Sequence, residues 1–171
     1  MSDYQYTIKH RLTTEEYKAL WEEHWPVLRR LSARYLPDFD ISRGVPCHVG
    51  FIDVLRGKWL LDKATDRPPY TEIVSGVGFA FGLLLAEMLG MEWCLIEDTF
   101  GEDISLIKFS TDSESEYKEM SVPPFNYVAK RETTQNVEVF TDGIREFEKM
   151  MKAKKSESSA SEGSKGHSPD S

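Results

Sequence analysis

The chain has 171 residues, a formal net charge of −8, and 40% apolar and 29% charged residues. That length holds one domain with a real core, and the composition excludes disorder and fibre. Two cysteines far apart, Cys47 and Cys94, exclude a disulfide-built scaffold, and the acidic balance argues against nucleic acid or an anionic membrane as partner.

The N-terminal stretch MSDYQYTIKHRL is polar and has no basic segment leading into an apolar run, so no signal peptide is expected and the chain is read as cytoplasmic. Tyr4, Tyr6 and Ile8 alternate with polar residues, which predicts a short strand. Thr13 and Glu16 stand at capping-box spacing. Behind them Tyr17, Leu20, Trp21, Trp25, Leu28, Leu31 and Tyr35 recur at helical intervals. Pro26 falls inside that pattern, and its missing N–H predicts a kink or a split into two helices. Residues 38–46 read as loop. Val49, Ile52, Leu55, Trp59 and Leu60 share one face of a second helix, although Gly50 and Gly57 lower its intrinsic propensity. The two prolines of ATDRPPY cannot continue it.

The stretch GVGFAFGLLLA at 76–86 admits three readings. A phosphate loop needs its glycines at a strand-to-helix turn, and no strand precedes these. A membrane span needs about 20 apolar residues, whereas the uncharged run from Ile73 to Ala86 is bounded by Glu72 and Glu87. The third reading, a buried helix, is the one expected. Ser75, Gly78, Gly82 and Ala86 then form a stripe of small side chains that lets another element come close, while Phe81, Leu84, Leu85 and Met88 supply bulk on other faces. Gly90 is placed to close the helix in the left-handed conformation. Each glycine costs about 1 kcal/mol in helix propensity, so close packing is the reason for their presence.

After Gly90, Met91–Glu97 and Ile104–Phe109 are rich in strand formers. The residues between them, Asp98-Thr99-Phe100-Gly101-Glu102-Asp103, predict a hairpin with a loop of four to five residues and Gly101 at positive φ. Trp93, Leu95, Ile104 and Leu106 would share the face that covers the apolar helix. Residues 110–121 read as an acidic loop, and 125–131 as either strand or short helix. Thr141-Asp142 opens a last helix with Ile144, Phe147, Met150 and Met151 inward, and residues 156–171, mostly Ser, Gly and charge, are expected to be a disordered tail. The expected fold class is therefore α+β. N-terminal helices and a central apolar helix pack on a small antiparallel sheet built around a β-hairpin, in a single domain over 1–155.

Four pieces, GVGFAFGLLLA (76–86), LGMEW (89–93), DTFGED (98–103) and PPFNYVAKR (123–131), resemble a small bacterial family of uncharacterised α+β domains. The resemblance implies the same fold class and brings no activity with it. Some small acidic bacterial proteins of this kind are immunity proteins or antitoxins, an analogy of fold alone.

Charge placement is the most informative functional signal. Residues 92–119 hold nine acids against two bases, so nearly all of the net charge sits on the hairpin and the loop after it. An acidic face of this kind suits a protein partner with a basic surface, with Glu97, Asp98, Phe100, Glu102 and Asp103 as the contact residues; the competing reading is a solvated tip kept soluble by its acids. The same carboxylates lack the spacing of a calcium loop, so no metal site is expected. No catalytic residue is expected either: Cys47 and His48 are adjacent and their side chains diverge, Cys94 lies in a strand expected to be buried, and His24 reads as a polar-face or core-edge residue. The leading expectation is thus a non-catalytic interaction module, an immunity-type inhibitor being one form. It has no cofactor, no nucleic acid and no membrane, and its oligomeric state is open. The alternative is a small-ligand-binding protein or enzyme with a pocket near Trp93, His48 and Cys47.

Overall fold

The computed structural model of the protein describes residues 5–42, 44, 48–109 and 118–162. Among them the chain forms, in order, β1 (Thr7–Arg11), α1 (Thr14–Tyr35), α2 (Gly50–Leu61), α3 (Tyr70–Leu89), β2 (Glu92–Asp98), β3 (Gly101–Phe109), β4 (Lys118–Val122), α4 (Pro124–Ala129) and α5 (Val139–Glu162). The strands make one antiparallel sheet in the order β1-β2-β3-β4. The α+β architecture around a β-hairpin is therefore the one the sequence implied.

The capping box at Thr13 is formed: Thr13 Oγ1 accepts from the Glu16 amide at 3.2 Å, and Glu16 Oε2 accepts from the Thr13 amide at 2.8 Å. Helix α1 then runs unbroken through Pro26, so the split into two helices does not occur. Burial of Leu20, Leu28, Leu31 and Tyr35 on one face outweighs the single hydrogen bond that proline removes.

Helix α3 is the centre of the molecule. It has 20 residues, about 30 Å at 1.5 Å per residue, and is long and apolar enough to cross a membrane. Here its length is spent inside the protein: Ile73, Val77, Phe79, Phe81, Leu84 and Leu85 are buried among the other elements. Its glycines are where neighbours come closest. A Cβ on Gly76 would stand 3.2 Å from the Leu28 backbone of α1, and one on Gly78 would stand 3.1 Å from Cα of Phe125 in α4. One on Gly82 would collide with the Trp93 indole of β2. Gly90 closes the helix at φ 60°.

The register of β2 against β3 pairs Trp93 with Leu106 and Leu95 with Ile104, and Trp93, Ile104 and Leu106 join the core around α3. The alternate residues Cys94, Ile96 and Ile107 are also buried, in a second small cluster with Tyr6, Ile8 and Phe109. The Arg11 guanidinium lies 4.5 Å above the Phe109 ring.

Three expectations need correction, and one open alternative is resolved. The first strand, expected over 4–9, runs over Thr7–Arg11, with an irregularity between Ile8 and His10; Tyr4 lies outside the described residues. Part of the expected loop at 110–121 is strand β4, because Met120 and Val122 pair with Lys108 and Leu106 and extend the inner face; residues 110–117 lie outside the described residues. The ambiguous stretch at 125–131 is mainly helix, with Pro124 at its first position, where a missing N–H costs nothing. Helix α5 starts earlier than expected, at Val139, and leaves Met150 43% exposed rather than inward. Its backbone continues helical to Glu162, into the segment read as tail; residues 163–171 lie outside the described residues.

Candidate functional site

The β2–β3 turn is tighter than its sequence implied. The strands stay paired to Asp98↔Gly101, which leaves Thr99 and Phe100 as the loop. Two local devices hold it. Gly101 takes φ 124°, a region that glycine enters at little cost, and Asp98 Oδ1 accepts the Phe100 amide at 2.6 Å. This geometry leaves the Phe100 side chain 93% exposed at the point of the hairpin.

Tight pairing also gathers the carboxylates. Glu97 and Glu102 face each other directly across the strands, a like-charge pair that opposes strand pairing. Lys9 on β1 answers it, with Nζ 2.9 Å from Glu97 Oε2. One rung inward, Asp103 accepts the Asn126 side-chain N–H of α4 at 2.7 Å and its neighbour's amide, Ile104 N, at 2.8 Å. Partial burial pushes the Asp103 carboxyl above the ordinary aspartate range, and the nearby Asp98 charge pushes the same way. Between the tip and α4 lies an open groove of about 560 Å³ whose walls include Asp98, Phe100, Asp103, Asn126 and Lys130. The five residues expected to meet a partner thus lie on the last rungs and turn of one hairpin. The further acids Asp112, Glu114 and Glu116 lie outside the described residues.

The alternative trio is not assembled in the same way. Cys47 lies outside the described residues. His48 is exposed at the start of α2, where its Nδ1 accepts the Gly50 amide at 3.1 Å. It borders a groove between α2 and α5 that does not include Trp93. Trp93 is buried, its ring against Gly82 and flanked by Phe79 and Phe125. The physical reason is strand parity: β2 delivers Trp93 into the helical core, away from the α2 terminus. Cys94 is buried in the second cluster, as a small apolar side chain in a strand would be.

Two polar arrangements escaped the sequence reading. His24 Nδ1 and Ser75 Oγ are 2.8 Å apart at the α1–α3 crossing, with the imidazole stacked near Phe79 and Phe125. Burial pulls the His24 pKa below its usual value, so the ring is neutral at neutral pH. A serine beside a histidine invites a nucleophilic reading. Ser75, however, sits inside a helix whose amides are spent on the helical ladder, so its own helix offers no free backbone donors to hold an oxyanion. The pair is a satisfied contact in an aromatic layer. Its signal was present: position 24 follows Trp21 by three and precedes Leu28 by four, on the apolar stripe.

The second arrangement is on α2. Asp53, 6% exposed, accepts the Phe140 and Thr141 amides at 3.0 Å each and the Thr141 hydroxyl at 2.7 Å, and so caps α5 from another element. One turn on, the buried Arg56 donates to the carbonyls of Arg131, Thr134 (2.8 Å) and Asn136 (3.4 Å). These two side chains, three residues apart, tie the α4–α5 connection to α2. Among the described residues, no group of three or more His, Cys, Asp or Glu side chains is placed to hold a metal ion.

Compared with known proteins, the chain matches no family model, no curated protein and no solved structure. The bacterial resemblance noted in the sequence therefore brings nothing beyond the α+β fold seen directly.

Proposed function

We propose that this protein is a non-catalytic interaction module that presents the β2–β3 tip to a protein partner with a basic surface, an immunity-type inhibitor being one concrete form. The observation that carries the reading is Phe100, 93% exposed on a turn fixed by Asp98 and Gly101 and ringed by carboxylates. Full burial of such a side chain is worth about 1.5–3 kcal/mol, which the folded chain forgoes and an apolar pocket on a partner would recover. The surrounding acids speed encounter with a basic surface and disfavour acidic competitors. Interfaces concentrate binding energy in a few aromatic anchors inside a polar rim, and the tip has that composition.

The test is affinity capture with photo-crosslinking from position 100, followed by quantitative binding of the crosslinked protein. The reading expects one discrete partner whose affinity falls at least about tenfold in Phe100→Ala, falls again in Asp98→Lys with Glu102→Lys, and weakens with added salt. A partner bound equally well by all these variants, or no partner at all, would sink it.

A further inference from the structure

Helix α4 touches both the α1–α3 crossing and the hairpin tip, through neighbouring residues of its first turn. The Phe125 ring lies 4.6 Å from the His24 imidazole of α1, centre to centre, and Phe79 of α3 lies 5.8 Å from the same imidazole. The next residue, Asn126, donates to Asp103 beside the tip at 2.7 Å. The second half of α4 is tied elsewhere: Tyr127 packs on Phe81 and Phe140, and the Val128 carbonyl accepts the Tyr70 hydroxyl. A helix of six residues with no side-chain cap at its start has little stability of its own. Its first turn therefore depends on the contacts of Phe125 and Asn126 and on the close approach of Phe125 to Gly78.

His24 is the group at that crossing that gains a charge below neutral pH. Its Nδ1 is bonded to Ser75 Oγ at 2.8 Å. Whichever atom donates in the neutral pair, a second proton makes both ring nitrogens donors, and the Ser75 hydroxyl must then accept. The new cation would lie against two phenyl rings, with a neutral hydroxyl as its acceptor. The elements packed on the ring bring it no countercharge: α3 supplies Ser75 and Phe79, and α4 supplies Phe125. The charge it does feel is the Glu23 carboxylate on its own helix, which favours the cation, and burial opposes the cation more strongly. A ring that moves toward water takes up the proton more easily. Helices α1 and α3, of 22 and 20 residues, are each held by several buried side chains, so the contact that yields is the one with the first turn of α4. We infer that His24 is a proton-operated latch: protonating it loosens the first turn of α4, and Asn126 carries the change to Asp103 and the β2–β3 tip. Asp103, the receiving group, also has Asp98 near it and shares its groove with Glu102 and with Lys130 of α4. The relay stands without a partner; acid weakening of partner binding is the consequence that rests on the tip reading.

Nuclear magnetic resonance of the full chain, titrated from about pH 8 to about pH 5, tests the relay with no partner present. The His24 ring should titrate with a midpoint below the ordinary value of about 6.5. The Asn126 side-chain amide and the Gly101 backbone amide should shift at that same midpoint. His24→Gln should abolish this shared transition. In Phe125→Leu the His24 ring should still titrate, while the Asn126 and Gly101 amides no longer follow it. Tip amides that stay still through the His24 midpoint overturn the inference. So does a transition that survives His24→Gln, which would belong to His10 on β1 or to Asp103 itself, or one that is unchanged in Phe125→Leu. Since no partner enters the measurement, its failure and a failed capture from position 100 are separate results.

Discussion

Gly82→Ala isolates the role of close approach at the centre of the fold. Alanine favours a helix over glycine by about 1 kcal/mol, so a change judged by local propensity alone would stabilise α3. The structure reverses the sign. The new methyl would overlap the Trp93 indole and come within 3.3 Å of Pro124 Cγ. The indole cannot swing aside easily, since Phe79 and Phe125 flank it at 6.4 and 6.5 Å between ring centres, and the Trp93 carbonyl is bound by the Leu12 amide at 2.9 Å. Overpacking a rigid site costs typically about 1–3 kcal/mol, and a clash with a trapped ring belongs at the upper end. Subtracting the propensity gain leaves a net loss of about 2 kcal/mol, or about 4–8 °C in midpoint for a chain of this size.

Urea unfolding followed by circular dichroism and tryptophan emission measures this directly, with an unchanged m-value expected. Gly57→Ala is the matched control. It makes the same chemical change in a helix where nothing in the chain meets the new methyl, and it should gain up to about 1 kcal/mol. If Gly82→Ala stabilises as Gly57→Ala does, the glycines of α3 are not there to admit their neighbours, and the account of the core given above fails.

Asp53→Ala should cost about 2–4 kcal/mol, the loss of a cap plus the stranding of buried donors at Phe140 and Thr141, and hydrogen exchange should show those two amides losing protection first. Asp103→Asn should stabilise the protein at neutral pH. The folded state raises the Asp103 pKa, so this carboxyl's favourable contribution is full below the unfolded aspartate pKa and is lost as pH rises through the folded value. The amide never ionises, and its single carbonyl oxygen keeps the bond from Asn126 while the Ile104 amide gives up its acceptor. The variant's advantage should therefore vanish near pH 3, below the ordinary range of about 3.9, and a constant advantage from there to pH 7 would refute the linkage.

How far the sequence foretold all this differed by element. Helices α1 and α3 were legible because a long amphipathic period and a small-residue stripe each leave a signal over many residues. The hairpin was legible from strand formers flanking a glycine. Strand β4 was not, since KEMSV has two inward residues and acquires its type from pairing with β3. The capping of α5 by Asp53 was invisible for a related reason: the residues involved are 87 and 88 positions apart, and no local pattern joins them. The tip residues were found through charge counting, yet the count included residues 110–117, which lie outside the described residues, and it gave no hint that Phe100 would be nearly bare.

The tip also shows what stability by itself does not require. A two-residue turn can be closed by asparagine and glycine with opposite charges on the flanking rungs. This chain instead sets Glu97 against Glu102, partly buries Asp103 and places it near Asp98, both of which raise its pKa, and puts a phenylalanine in water. Lys9 and Asn126 relieve two of the four carboxylates without removing the negative field. Local choices that work against the fold, with only partial compensation nearby, are expected where a surface is kept for something other than folding. Even with Lys9 and Lys130 nearby, the tip stays predominantly acidic around an exposed aromatic side chain, the composition that the proposed basic partner requires.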